Sequence, residues 1–245
     1  MIEKNASTWL TEWSRKAQEL SPDLLLKELS LQFPGKVCFS SSLGWEDQVI
    51  THFIYIQHLD VEVFTLDTGR LFPETYSLME RIFEKYGKRI TTFFPGTREV
   101  ENLVSTKGPN SFYESVENRK ECCRIRKVEP LRRALAGKDI WITGIRKDQS
   151  PDRNELPVVE WDADHQLLKI HPLLNWSLEQ VKSFIHQHQV PYNPLHDKGF
   201  ISIGCAPCTR AVKPGEDFRA GRWWWEDQTK KECGLHLHEE ASSGS

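Results

Sequence analysis

Five of the six cysteines in this 245-residue chain stand where a sulfur could do chemistry. Cys122 and Cys123 are adjacent, in Glu121-Cys122-Cys123-Arg124-Ile125-Arg126-Lys127. Neighbouring cysteines close only a small strained ring, so an ordinary structural disulfide between them is disfavoured. About 80 residues later, Gly204-Cys205-Ala206-Pro207-Cys208-Thr209 supplies a Cys-x-x-Cys in a Gly/Pro turn. Together the pairs offer four thiolates, a donor set for a tetrahedral zinc or an iron-sulfur cluster. A single zinc draws its ligands to one point and usually takes two Cys-x-x-Cys turns. A 4Fe-4S cube spreads its irons over a few ångströms, so adjacent cysteines can reach different irons. A redox Cys-x-x-Cys and four unligated thiols are the remaining readings.

Cys233 follows Lys230, Lys231 and Glu232 and precedes Gly234, Leu235 and His236. Neighbouring cations favour a thiolate, and a position near the C-terminus gives it reach, so Cys233 reads as a nucleophile; the plain alternative is an incidental exposed thiol. With no resolving cysteine beside it, an adduct on Cys233 has to be cleared by water or by an external thiol, for which a dithiol protein is the natural source. Cys38, inside an apolar strand, reads as an inert core thiol.

Positive charge concentrates around the first pair: Arg119, Lys120, Arg124, Arg126, Lys127, Arg132 and Arg133 against Glu121 and Glu129. Such a cluster can hold a compact anion or simply form a solvated helix face. Arg146, Lys147 and Arg153, then Arg219 and Arg222, add further anion-binding candidates, and Ser40 to Ser42 offer hydroxyls and turn N–H groups. Of Trp223, Trp224 and Trp225, at least two read as packing residues. The histidines have no metal spacing among themselves and read as structural or surface groups, except His236, three residues from Cys233.

These groups need a scaffold. Amphipathic stretches at Thr8–Leu20 and Pro22–Gln32 predict helices, the second with Ser21 at its cap and Pro22 in its first turn. Lys36–Ser40, Val61–Leu66, Arg89–Phe94 and Asp139–Ile145 predict strands, and helical patterns follow to about Gln57, over Pro73–Tyr86, over Lys120–Leu135 and over Leu178–His188 behind Ser177. Strands alternating with helices predict an α/β fold, a mostly parallel sheet sandwiched by helices, with ligands at the carboxyl ends of the strands. The turns at 40–47, 67–70 and 144–153 then gather at one edge. Beyond Ser150 a series of prolines makes the pattern irregular.

Net charge is only -3, which does not point to nucleic acid or a membrane surface as a partner. No run approaches the roughly 20 apolar residues of a membrane span, and the first residues lack a secretory signal, so a reducing cytoplasm is the expected setting. There cysteines read as thiols, ligands or catalysts before disulfides.

The motifs then converge. Cys122-Cys123, Cys205-x-x-Cys208 and Lys231-Glu232-Cys233-Gly234-Leu235-His236 resemble those of the assimilatory sulfonucleotide reductases, in particular the cluster-containing, thioredoxin-dependent adenosine 5'-phosphosulfate (APS) reductases. Leu66-Asp67-Thr68-Gly69-Arg70, the run from Ile142 to Ser150, Tyr192-Asn193-Pro194-Leu195-His196 and Gly221-Arg222-Trp223-Trp224-Trp225 extend the likeness over most of Val37 to His236. The resemblance implies an adenine nucleotide α-hydrolase-like fold related to the ATP pyrophosphatases, with a 4Fe-4S cluster on Cys122, Cys123, Cys205 and Cys208. Its parts would be an N-terminal helical segment (1–35), the α/β domain with the cluster (36–218) and a mobile C-terminal segment (219–245) carrying the catalytic Cys233.

It also implies the activity: attack of Cys233 on the sulfate sulfur of APS, departure of AMP, and release of sulfite from a Cys233 S-sulfonate by thioredoxin or a glutaredoxin-like protein. Ser42, Leu66, Thr68, Gly69 and Gly144 would border the nucleotide. Lys127, Arg219 and Arg222 would sit against the reacting groups, and Arg126, Arg153 and His236 against the charged end or the closing tail. The Ser40–Ser42 loop departs from the glycine-rich form that grips pyrophosphate. The rivals are a reductase of 3'-phospho-APS (PAPS) or of both nucleotides, an ATP pyrophosphatase acting on another substrate, and a zinc-stabilised binding module; a homo-oligomer is left open.

Overall fold

The computed structural model describes residues 2–150, 153 and 155–226. Its centre is a six-stranded sheet in the order β3-β2-β1-β4-β6-β5, formed by β1 (Val37–Ser40), β2 (Glu62–Leu66), β3 (Thr91–Phe93), β4 (Ile140–Ile142), β5 (Val159–Asp162) and β6 (Leu167–Ile170). Every neighbouring pair is parallel except β5 with β6. The sheet is therefore mostly parallel, as the alternating strands and helices predict.

Alternation along the strands assigns each side chain to a face. Val37, Phe39, Ile140 and Ile142 enter one core, with Trp13, Leu26 and Leu29 from α1 (Ile2–Glu19) and α2 (Pro22–Gln32), Val49 and Ile50 from α3 (Trp45–Ile56), and Val181 and Ile185 from α8 (Leu178–Gln187). Cys38 and Trp141 enter the other, beneath Leu131, Ala134 and Leu135. Burial pushes the Cys38 thiol up to about 12, which keeps it protonated and inert. α1 and α2 thus pack into the same core as the sheet. Ser21 occupies the predicted cap of α2, but its hydroxyl donates to Asp23 (2.6 Å) instead of capping a backbone N–H. Ser177 does cap α8, accepting from Gln180 N at 3.1 Å.

Two features escape the sequence pattern. After α4 (Pro73–Tyr86) and β3 comes α5 (Thr97–Lys107), in which only Leu103 is buried; Val100, Leu103 and Val104 make a stripe of a single turn, too short to mark a helix on its own. The stretch after Ser150 contains the β5–β6 hairpin, turned by His165 N donating to Asp162 Oδ1 at 2.9 Å, with Gln166 at a positive φ of 56°.

The basic segment forms α6 (Val116–Cys123), one π-helical turn (124–128) and α7 (Glu129–Leu135) in continuous succession. Pro130 has no N–H to give, and Glu129 N–H reaches back five residues to Arg124 O. The wider turn buries Ile125 and Arg126 and half-buries Lys127, so one helix presents both cysteines and two cations to the carboxyl edge of the sheet. No helix of the described residues is long and apolar enough to cross a membrane.

Candidate active site

At that edge lies a cleft of about 260 Å³. Its floor is made by the ends of β1, β2 and β4, and its walls by the 196–205 loop, Lys127 and the 218–222 segment. The loop after β1 owes its shape to Asp47, three residues into α3. Asp47 Oδ2 accepts from Ser42 N (2.6 Å), Ser42 Oγ (2.6 Å) and Gly44 N (3.4 Å), while Leu43 N–H turns to Ser41 Oγ (3.2 Å). The sequence suggests that these N–H groups face an anionic ligand; they instead wrap a carboxylate of the chain itself. A Cβ on Gly144, two residues past β4, would collide with the Asp47 carboxylate, so a side chain there would displace the group that shapes this loop. Beside it Glu46 accepts from the buried Arg146 (Nε to Oε1, 2.7 Å), tying α3 to the turn after β4.

Burial raises the Asp47 carboxyl to about 7, with the hydrogen bonds from Ser42 and Gly44 opposing and the charge of Glu46 adding. An acid whose folded pKa exceeds its unfolded value, about 4, contributes stability at low pH that is lost as pH rises through the folded value. Urea unfolding of the wild type and of Asp47→Asn at about pH 5 and pH 8 checks this: relative to the variant, the wild type is expected to lose stability between the two.

The four cysteines meet at one wall. Cys205 lines the cleft and lies 3.2 Å from Thr68 Oγ1. Cys122, Cys205 and Cys208 pack with Phe112, Trp223 and Trp225, and Cys208 lies within electrostatic reach of Cys205 and Cys123. The Cys-x-x-Cys turn is clamped by Ala206 N to Arg70 O (2.8 Å), Thr209 Oγ1 to Cys205 O (2.9 Å) and Tyr113 OH to Pro207 O (2.7 Å). Burial raises the Cys208 thiol to about 12, and raises Cys122 too. Without a bound cation these sulfurs are neutral, so a thiolate-ligated group would have to supply the charge that ionises them. Around them Arg126 Nε, Arg222 Nε and Trp223 Nε1 are buried donors with no acceptor, an environment made for added negative charge. Among the described residues no three His, Cys, Asp or Glu groups gather closely enough to hold one metal ion.

Ser42, Leu66, Thr68, Lys127, Gly144, Arg153, Arg219 and Arg222 all line the cleft. Gly69 and Arg126 stand just behind it: Arg126 NH1 donates to Thr68 O at 2.7 Å, and its charge lies beside Cys122. Gly69 sits at φ 72°, the left-handed turn that lets β2 hand the chain to this contact. Arg153 also reaches Gln149. Cys233 and His236 lie outside the described residues.

Sequence reasoning placed Arg119 in an anion-holding or solvated basic cluster, read His196 as structural, and gave no role to Glu226. Arg119, one helical turn before the cysteine pair, binds Glu226 with two bonds of 2.9 Å, the side chains being 1% and 4% exposed. Its guanidinium stacks on Trp223, whose other neighbour is the Arg222 guanidinium, at 4.7 and 4.9 Å respectively. This arrangement fixes a cleft cation and the last described residue to the cysteine-bearing helix. The partners are 107 positions apart, and no local pattern announces them. His196, read as structural, lines the cleft.

The mostly parallel sheet with a cleft at its strand ends is an adenine nucleotide α-hydrolase-like fold. The chain belongs to the phosphoadenosine phosphosulfate reductase domain family, which matches residues 36–211. It is 50% identical over 234 residues to the adenosine 5'-phosphosulfate reductase of Allochromatium vinosum, covering 92% of this chain and 91% of that protein. Among solved structures it is similar to the phosphoadenylyl-sulfate (PAPS) reductase of Candida auris, solved as a phosphate complex, with TM-score 0.69 and 31% identity over 83% of this chain and 96% of that one. The FMN adenylyltransferase of Candida glabrata shares the fold alone, with TM-score 0.53 and 16% identity over 91% of this chain and 78% of the other.

Proposed function

We propose that the chain is an adenosine 5'-phosphosulfate reductase of sulfate assimilation, converting APS to sulfite and AMP at the expense of a dithiol protein, thioredoxin or a glutaredoxin-like one. The observation that carries this reading is one shared wall: Lys127, Arg219, Arg222 and Cys205 line a nucleotide-sized cleft whose floor is the strand ends. Half the residues aligned with the Allochromatium reductase are identical.

Cys233 stands seven residues beyond the last described position, a span of at most about 25 Å when extended. In the proposed first step its thiolate attacks the sulfur of the sulfate group. The sulfur–oxygen bond to the phosphate breaks, its electron pair leaves with AMP, and Cys233 carries an S-sulfonate. A dithiol thiolate then attacks Cys233 Sγ; the sulfur–sulfur bond breaks and sulfite departs with the pair. The second dithiol sulfur displaces Cys233, which returns as a thiolate, and the partner keeps the disulfide. Two electrons have passed from dithiol to sulfate sulfur. Lys127, Arg219 and Arg222 reduce the repulsion between thiolate and sulfate and stabilise the charge growing on the departing phosphate.

Cys122, Cys123, Cys205 and Cys208 are proposed to hold one 4Fe-4S cluster. The all-sulfur donor set and the surrounding unsatisfied N–H donors suit a thiolate-ligated group, and adjacent cysteines can reach different irons of a cube where one zinc ion needs its ligands at one point. When bound, it would supply fixed charge and rigidity beside Lys127; both electrons come from the dithiol. PAPS as substrate is the second reading, favoured by the likeness to the Candida auris enzyme, which aligns at 31% identity against 50% for the APS reductase. The test is anaerobic sulfite release from each nucleotide, with and without reduced thioredoxin.

A further inference from the structure

Arg222 lines the cleft with little hydrogen bonding to orient it. Among the described residues its one side-chain hydrogen bond runs from NH1 to Ser202 Oγ, at 3.3 Å, and Nε has no acceptor. Its guanidinium is placed by shape instead: it lies over Gly204, where a Cβ would collide with it, and its central carbon stands 4.9 Å from the centre of the Trp223 ring. Where Arg222 points therefore depends on what holds Trp223. Trp223 is buried, and its backbone takes a positive φ of 41°, a left-handed conformation that costs a bulky residue energy and persists only where neighbours impose it. Glu226 and Arg119 supply that constraint. Glu226 N–H donates to Trp223 O at 2.9 Å, closing a turn, and the Glu226 carboxylate takes both bonds from Arg119, whose guanidinium lies 4.7 Å from the centre of the ring.

We infer that Arg119 is a positioning residue for phosphate recognition: paired with Glu226, it fixes the Trp223 ring against which the Arg222 guanidinium is set in the cleft. Arg119 is buried on α6 and is not among the residues lining the cleft, so it touches no substrate and acts through the ring. A buried ion pair gains little net stability over apolar residues of similar size, because both charges lose their water. What two parallel bonds to a planar guanidinium do add is a defined geometry. The pair is neutral as a unit, so removing both charges together leaves the net charge beside the cleft unchanged and acts on position. This inference rests on reading Arg222 as a contact to the charged end of the nucleotide.

AMP, the expected product, is the probe, and adenosine, which lacks the phosphate, is the control. Both affinities are measured on the wild type, on Arg222→Ala, on Arg119→Met with Glu226→Leu, and on all three changes together. The paired change leaves no buried charge without its partner, which keeps the fold within reach. It should weaken AMP binding about five-fold and leave adenosine binding unchanged, the size expected of coupled neighbours. In the Arg222→Ala background the same paired change should cost AMP nothing further, because the group it positions is gone. Arg119→Lys, which keeps the charge but cannot make both bonds, should show a smaller loss, again confined to AMP.

If the paired change leaves AMP affinity as in the wild type, the inference is overturned while the nucleotide reading stands. It is overturned equally if adenosine binding falls as much as AMP binding, or if the AMP loss persists undiminished in Arg222→Ala; either result makes the pair a general support of the fold. Should the paired variant not fold, Arg119→Lys decides, and wild-type affinity for AMP in that variant overturns the inference. An Arg222→Ala variant that binds AMP as the wild type does, or a wild type that binds no AMP, would overturn the reading of Arg222 along with it.

Discussion

Cys233→Ser is expected to abolish sulfite release from APS while leaving AMP affinity and iron content unchanged. A serine hydroxyl is a far weaker nucleophile at neutral pH and, after attack, would give a sulfate ester that a dithiol cannot reduce at its oxygen. The roles are separable because the cysteines are: Cys205 and Cys208 sit in a clamped turn, and Cys122 and Cys123 on a helix, all within the folded body. Mixing wild type with sulfur-labelled APS and no reductant should place one label per chain, lost on adding reduced thioredoxin, and peptide mapping should find it on Cys233. In Cys233→Ser no label should appear. Label on another cysteine, or turnover in the variant, would remove Cys233 from the mechanism.

Lys127→Ala carries the second largest expected effect. Lys127 lines the cleft, and its charge is felt by Cys208, so it lies between the cysteine wall and the strand ends. A preorganised cation aimed at charge developing in a transition state is worth about 10²- to 10³-fold in rate. Loss of that order in kcat for APS is expected, with a smaller change in the affinity for AMP, which lacks the sulfate. Lys127→Arg should recover only part of the rate, since a planar fork does not reproduce a compact ammonium at the same point. A variant whose loss lies wholly in KM would make Lys127 a ground-state binding group and move the charge stabilisation to Arg219 and Arg222.

The strands β1, β2 and β4 were legible because each is an apolar run followed by a polar turn, and parallel strands buried on both faces leave that signature. The four-cysteine wall was legible by residue type, since two pairs of thiols in one chain ask for a shared purpose whatever separates them. What was not legible depends on three-dimensional neighbours. Asp47 looks like an ordinary first-turn acid until the fold bends Ser42 and Gly44 over it. The sequence predicts one helix over Lys120–Leu135, and the chain does stay helical through Pro130; the π-helical turn just before that proline leaves no mark in the apolar pattern. The Arg119–Glu226 pair exists only once the C-terminal segment has returned to α6.

The central claim joins one cleft to one reaction, and sulfite release tests it most directly. Purified protein, kept anaerobic, is supplied with APS or PAPS at matched concentrations, with and without reduced thioredoxin, and sulfite and the adenosine nucleotide product are measured together. The account predicts sulfite and AMP in equal amounts from APS, sustained only when thioredoxin is present, and much less turnover of PAPS. Absence of thioredoxin-dependent sulfite from both nucleotides, in folded protein reconstituted with iron and sulfide, would contradict it.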